Sequence, residues 1–319
     1  MASFWQNLKL TIKPFFVLAP MDGVTDYVFR EIISETAKPD VLFTEFTSVD
    51  ALLSKGYEKT IPRLKFSQRQ RPIVAQIWGT NPQFFYKVAT IVKDLGFDGI
   101  DINMGCPDKN VMKIGSGAAL INTPSLAAEI ILASKEGAKK LPVSVKTRLA
   151  KDPRNNRSWF NSLLNQNLDA LTIHGRRAKD LSKSLVQWDE ISQAVKMRSD
   201  MGLDTVIIGN GAIKSFTEAL EVHTKYGVDG LMIGTGVFSN PWVFEKEPKN
   251  HTKQEHLDLL LKHTKLYCQT YQNQSNFAEM RKFFKIYARA FSGADKLKKQ
   301  LMTTTNYQEV EDLVKRFLE

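Results

Sequence analysis

Short, nearly continuous apolar runs recur along this chain. Each is followed by turn residues and then by a stretch with apolar positions at helical spacing. The runs are 15–21, 41–46, 72–79, 99–105, 142–148, 170–175, 205–211 and 230–236. Continuous rather than alternating apolarity predicts strands buried on both faces of a parallel sheet. Between them, 83–95 carries Phe84, Val88, Ile91, Val92 and Leu95 on a helical face. Segment 125–137 follows a capping Thr123 and Pro124, with Gly137 marking its end, and 216–226 is closed by Gly227. Eight strands alternating with helices predict a fold of the α/β class, a (β/α)8 TIM barrel; a doubly wound open sheet is the alternative. After residue 244 the strand pattern stops. Helical patterns at 256–272, 277–291 and 307–318 predict a small all-helical C-terminal domain, dividing the chain into 1–244 and 245–319.

A barrel works at the C-terminal ends of its strands, and polar residues gather at seven of them. Pro20, Met21 and Asp22 end the first run and Gln76 lies in the third. Asn103 and Cys106 end the fourth, Lys146 and Arg148 the fifth, and His174 and Arg176 the sixth. Asn210-Gly211 ends the seventh and Gly234-Thr235-Gly236 the eighth. Glycine-containing ends on the last two strands suit a phosphate held by backbone N–H groups. A lysine at a barrel mouth needs an anion. Lys146 therefore either faces the electron-rich edge of a flavin or pairs with a buried carboxylate such as Asp101. Gln76 and His174 are candidates for the polar edge of such a ring, and Asn103 for the amide edge of a base. Cys106 is either a nucleophile or proton donor or, as free thiols commonly are, a small buried apolar group.

Composition narrows the setting. The chain has 319 residues, 43% hydrophobic and 24% charged, which describes a globular protein. No apolar run reaches the ~18 residues that span a bilayer, so no membrane segment is expected. The first residues lack a signal peptide's apolar stretch, and a cytoplasmic location is the default expectation. Two distant cysteines form no disulfide framework. His251, His256, His263 and Cys268 lack metal-site spacing, so no metal is expected. Nothing demands more than a monomer.

The 44 Lys plus Arg against 34 Asp plus Glu leave a net charge of +10. Much of the excess lies at Arg281, Lys282, Lys285, Arg289, Lys296, Lys298 and Lys299, with Tyr287 and Phe291 interleaved. On one helix, Arg281, Lys285 and Arg289, or Lys282, Lys285 and Arg289, share a face. Nucleic-acid phosphates are the natural counterpart, and a solvated helix face is the bland alternative.

Several blocks, in order, resemble the tRNA-dihydrouridine synthase family. Leu18-Ala19-Pro20-Met21-Asp22-Gly23-Val24-Thr25-Asp26 is similar to its opening motif. Asp101-Ile102-Asn103-Met104-Gly105-Cys106-Pro107 is similar to its active-site signature and is the most specific match. Val145–Arg148, Thr172–Arg176, Gly209–Gly211, Asn240-Pro241-Trp242 and the stretch from Met280 to Ala294 continue the resemblance, which covers about residues 15–300.

The resemblance implies reduction of specific uridines in tRNA to 5,6-dihydrouridine. NADPH would reduce bound FMN, a hydride would pass to C6 of an extruded uracil, and Cys106 would protonate C5. It implies that Pro20, Met21, Gln76, Lys146 and His174 contact FMN. Asn210, Gly211, Gly234, Thr235 and Gly236 would take its phosphate. Asn103, Arg148, Arg176, Arg281, Lys282, Lys285 and Arg289 would contact the RNA. Gly234-Thr235-Gly236 stands where the family usually has Gly-Arg-Gly, leaving backbone donors, with Arg176 or Arg177 to compensate. Residues 177–184 replace the usual Tyr-Ser-Gly-like turn. A flavin oxidoreductase for small molecules, akin to dihydroorotate dehydrogenases, is the rival enzyme reading. An RNA-binding protein without catalysis is the rival of another class.

Overall fold

A computed structural model describes residues 3–181, 184–272 and 276–319; Ser182 and Lys183, within the divergent 177–184 segment, lie outside them. Its contacts divide the chain into two units. The first comprises Met1–Tyr27, Pro39–Ile213 and Thr217–Gly234. The second comprises Val28–Lys38, Lys214–Phe216 and Thr235–Glu319.

The first unit is the expected parallel barrel, nearly closed. Its strands are β1 (Phe15–Leu18), β2 (Leu42–Phe43), β3 (Thr47–Ser48), β4 (Ile73–Trp78), β5 (Gly99–Met104), β6 (Val143–Leu149), β7 (Ala170–Arg177), β8 (Val206–Asn210) and β9 (Gly230–Ile233). They pair in the order β1, β9, β8, β7, β6, β5, β4, β2, with β3 also on β4. A parallel bridge from Val17 to Val41 brings the far edge back to β1. The strands are buried almost without interruption, which is why they read as unbroken apolar runs.

The second run differs from its expectation. It is split into β2 and β3 because side chains take over the ladder at Thr44–Phe46. The Thr44 hydroxyl accepts from the Gln76 N–H (3.1 Å), and Glu45 turns its carboxylate to the Gly23 N–H (2.6 Å). A second difference concerns Gly137. It lies inside the helix Pro124–Ala138 rather than after it, and a Cβ there would meet the Tyr86 carbonyl at 2.2 Å. It permits close helix packing and ends nothing. Thr123 makes no side-chain cap bond.

An element absent from the expectation, the helix Phe4–Thr11, opens with a capping box from Ser3 and Gln6. Its Trp5 is fully buried among Phe15, Ala170 and Val206, the first residues of three strands. The helix therefore shuts the N-terminal end of the barrel, opposite the expected site.

The second unit is largely helical. Lys253–Thr270 starts ahead of expectation because Thr252 and Glu255 form a capping box. The 277–291 segment is a 3-10 turn, Phe277–Met280, followed by a helix that stops at Tyr287; Ala288 leaves helical geometry and Ala290 has φ +62°. The shared helix face of Arg281, Lys285 and Arg289 therefore does not form, since Arg289 lies past the end. Ala294–Leu301 and Tyr307–Leu318 complete the unit. No single helix among the described residues is long and apolar enough to cross a membrane.

Candidate active site

Sheet register sets the site. Gln76 lies beside Asp101, Asn103 beside Lys146, and Arg148 beside His174, which lies beside Asn210. Five strand ends thus present polar side chains at neighbouring levels of one mouth.

A chain of hydrogen bonds runs across it. The Ser144 hydroxyl donates to Asp101 (2.6 Å), and Gln76 donates to the other Asp101 oxygen (2.7 Å). Asn103 donates to the Gln76 oxygen (3.0 Å), while its own oxygen accepts from Gly105 N–H (3.1 Å) and Cys106 N–H (2.9 Å). Asp101 is fully buried, which pushes its carboxyl up to about 6 against the opposing bonds from Ser144 and Gln76. Gln76 is likewise fully buried, so its part is to hold Asn103 against Asp101.

Lys146 neither pairs directly with Asp101 nor points away. Its ammonium donates to Asn210 (3.2 Å), whose nitrogen in turn donates to the Met232 carbonyl. Desolvation first, then the nearby Arg148, pulls Lys146 down to about 8, with Asp101 opposing. His174 is held at about 2 by desolvation and by Lys146, Arg148 and Arg176, so it is neutral at pH 7. The charges that act on His174 are all positive, Lys146, Arg148 and Arg176, and one hydrogen bond uses one of the Lys146 ammonium's three donors. An electron-rich ring bearing a phosphate fits that imbalance.

Cys106 is half-buried on the loop after β5. Burial raises its thiol above the ordinary range, the Asp108 carboxylate adds to this, and the Asp108 N–H and Arg148 oppose it. The thiol is therefore protonated at neutral pH, with a backbone donor ready for the thiolate. Arg148 secures the same loop by donating to the Gly105 carbonyl (2.7 Å) and reaches the Leu181 carbonyl (3.4 Å); Arg176 donates to the Ser184 carbonyl (2.7 Å). The Cys106 carbonyl accepts from Ala118 N–H (3.0 Å). Gly117 makes this approach possible: its φ is +60° and a Cβ would stand 2.7 Å from that carbonyl.

Cys106 also lines a cavity of about 1150 Å³ with Asp22, Arg63, Phe46 and Trp78. Arg63 lies 2.8 Å from Asp22 and 3.7 Å from Glu45. Sequence reasoning missed Glu45 and Arg63. Glu45 sits at the end of the second strand, the one end not searched for polar residues.

The phosphate candidates are more dispersed. Gly211 has φ +145°, and a Cβ there would meet Val186 at 2.8 Å, so close packing already calls for glycine. Pro20, Met21 and Gly234 are partly exposed, and Gly234 approaches Ala19 and the Met21 sulfur. Thr235 and Gly236 open a 3-10 turn in the second unit.

Within the second unit, Lys285, Arg289, Lys296 and Lys298 line a cavity of about 570 Å³ with Asp295. Three candidates already have partners: Arg289 donates to the Phe238 carbonyl (2.6 Å), Arg281 donates to the Thr304 carbonyl, and Lys282 pairs with Glu279. The nearby imidazoles serve packing. His251 stacks on Trp242 at 3.8 Å, and His263 hydrogen-bonds the Tyr287 hydroxyl. No metal-binding group gathers among the described residues.

Comparison with known proteins identifies the family. Residues 17–319 match the family model described as Dihydrouridine synthase (Dus). The chain is 44% identical to a "Probable tRNA-dihydrouridine synthase" of Staphylococcus epidermidis, over 99% of this chain and 96% of that one. It is equally similar, with the same coverage, to "Probable tRNA-dihydrouridine synthase 2" of Bacillus subtilis. A solved variant of NCR from Zymomonas mobilis shares the fold, with TM-score 0.51 and 15% identity over 74% of this chain and 87% of that one.

Proposed function

This chain belongs to the dihydrouridine synthase family, and on that footing we propose that it reduces uridines in tRNA to 5,6-dihydrouridine, with FMN as cofactor and NADPH as reductant. The enzyme is an oxidoreductase. When bound, FMN supplies the hydride that goes to C6 of the uracil.

This chain's residues provide the rest. Lys146 balances the electron-rich edge of the ring, and His174, being neutral, accepts or donates one hydrogen bond there without adding charge. Pro20 and Met21 line the ring's bed, with Gln76 behind them. Asn210, Gly211, Gly234, Thr235 and Gly236 take the phosphate, and Arg176 adds a cation in place of the family's usual arginine. Asn103 keeps one N–H for the uracil edge, and Arg148 meets the RNA beside it.

Cys106 gives its proton to C5, and the thiolate left behind is received by the Asp108 N–H and the charge of Arg148. The hydride and the proton together add two electrons and two hydrogens across the C5–C6 bond. A stacked base cannot offer both carbons to a protein, so the uridine is extruded. The segment 245–319 grips the tRNA through Lys285 and Arg289, with Arg281 and Lys282 alongside.

The observation that carries this reading is the thiol: half-buried, with its pKa raised by burial so that it keeps its proton at neutral pH, and lining a cavity roomy enough for an extruded base. Unmodified tRNA, FMN and NADPH incubated with the protein should yield dihydrouridine. Cys106→Ala should bind flavin and tRNA yet turn over about 10²–10⁴-fold more slowly, the contribution of a general acid. Wild-type turnover by that variant removes Cys106 from the reaction; no dihydrouridine from the wild type removes the reading.

A further inference from the structure

The cavity that Cys106 lines exceeds what one extruded pyrimidine requires. At about 1150 Å³ it is larger than the ~300–1,000 Å³ of ordinary small-ligand pockets. Phe46 and Trp78 stand partly exposed in its lining, with ring centroids 6.2 Å apart at 78°. Lys59 and Lys109 are exposed there too, and neither has an ion-pair partner among the described residues.

The acidic groups of the lining are already engaged. Asp22 holds Arg63 at 2.8 Å. Asp108 caps the short helix Lys109–Lys113 by accepting from the Asn110 and Val111 N–H groups at 2.9 and 3.2 Å. What remains open to a ligand is an aromatic surface beside two ammonium groups. A nucleotide matches both, since every base has a π-face and every link a phosphate.

We propose that this cavity holds a second nucleotide, the chain neighbour of the target uridine, with its base stacked on Trp78 or Phe46 and its phosphate at Lys59 and Lys109. The inference rests on the uridine-reductase reading and deepens it. Extrusion of the target strips its neighbour of a stacking partner, and the aromatic wall supplies a replacement. Stacking is indifferent to base identity, so the subsite selects for an RNA strand and not for a sequence.

The test compares two probes, uridine 5′-monophosphate and the trinucleotide UpUpU, titrated calorimetrically into the FMN-loaded protein at fixed salt. The trinucleotide should bind at least ~10-fold more tightly, and Trp78→Ala should cut its affinity by ~5-fold or more while leaving the mononucleotide unchanged. Trp78→Phe should restore most of the difference. Lys59→Ala with Lys109→Ala, two surface changes, should flatten the salt dependence of trinucleotide binding. Equal affinity of both probes for the wild type overturns the subsite, as does an advantage that survives both Trp78→Ala and the double lysine variant. Failure of the uridine-reductase reading appears separately, as wild-type protein that forms no dihydrouridine in tRNA.

Discussion

The side-chain oxygen of Asn103 accepts the backbone N–H of Cys106 at 2.9 Å. The penultimate residue of β5 therefore decides where the thiol stands. Since the same oxygen also holds the Gly105 N–H and the nitrogen donates to Gln76, Asn103 is a positioning residue for the loop whatever it contributes to base recognition. Asn103→Leu leaves two backbone donors without an acceptor, at a cost of about 1–3 kcal/mol each where water cannot reach them. Turnover should fall toward that of Cys106→Ala. Alkylation of Cys106 at pH 8 should accelerate as the loop loosens and the thiol regains water. An unchanged alkylation rate would show that the loop stands without this bond.

Gly117 offers a sharper probe of the same loop. Gly117→Ala places a methyl 2.7 Å from the Cys106 carbonyl and 2.9 Å from Val111, at φ +60°. The left-handed backbone alone costs about 1–2 kcal/mol. Gly115→Ala carries similar backbone strain, at φ +82°, with only Thr80 within reach at 3.8 Å. Thermal unfolding should register both substitutions, whereas dihydrouridine formation should collapse only for Gly117→Ala.

Lys146 should make flavin binding depend on pH. Its ammonium in the ligand-free protein loses its proton near 8, so above that value an anion must first recover the charge it needs. FMN affinity should then fall, approaching about tenfold per pH unit beyond it. Lys146→Met should bind FMN more weakly at pH 7 and show no such decline up to pH 9.5. Quenching of flavin fluorescence follows both. A wild-type affinity flat from pH 7 to 9.5 would remove Lys146 from the site.

The basic residues of the second unit divide into two groups. Lys285 and Lys296 face the same cavity, whereas Lys282 pairs with Glu279 at 2.6 Å. Lys285→Ala with Lys296→Ala should weaken tRNA binding and lower the slope of log affinity against log salt by roughly 1.4–1.8. Lys282→Ala should change it much less. Filter binding across a salt series distinguishes them, and equal effects would mean that the RNA does not use the cavity.

The sequence made the barrel legible because burial on both faces is written directly into apolar composition. Seven strand ends also carried their chemistry openly. The second strand did not: its ladder is completed by the Thr44 hydroxyl and broken by Glu45, and no apolar count registers a side chain standing in for backbone. Glu45 and its partner Arg63 were missed for that reason. The bond from Asn103 to Gln76 depends on sheet register across 27 residues, which local spacing does not encode. Gly117 carries no local signal of its role, because its approach to the Cys106 carbonyl exists only in the folded loop. The expected helix face at Arg289 failed because a continuous 277–291 pattern conceals the turn at Ala288, whose ψ of 74° no propensity of alanine announces.

The indole of Trp5, fully buried among the first residues of three strands, corks the barrel from below and leaves the face at the C-terminal strand ends as its working side. Whatever brings reducing power and whatever receives it must pass the same threshold. In the proposed reaction the dinucleotide and the RNA therefore approach from one side, and each should slow the other's entry although the two never react directly.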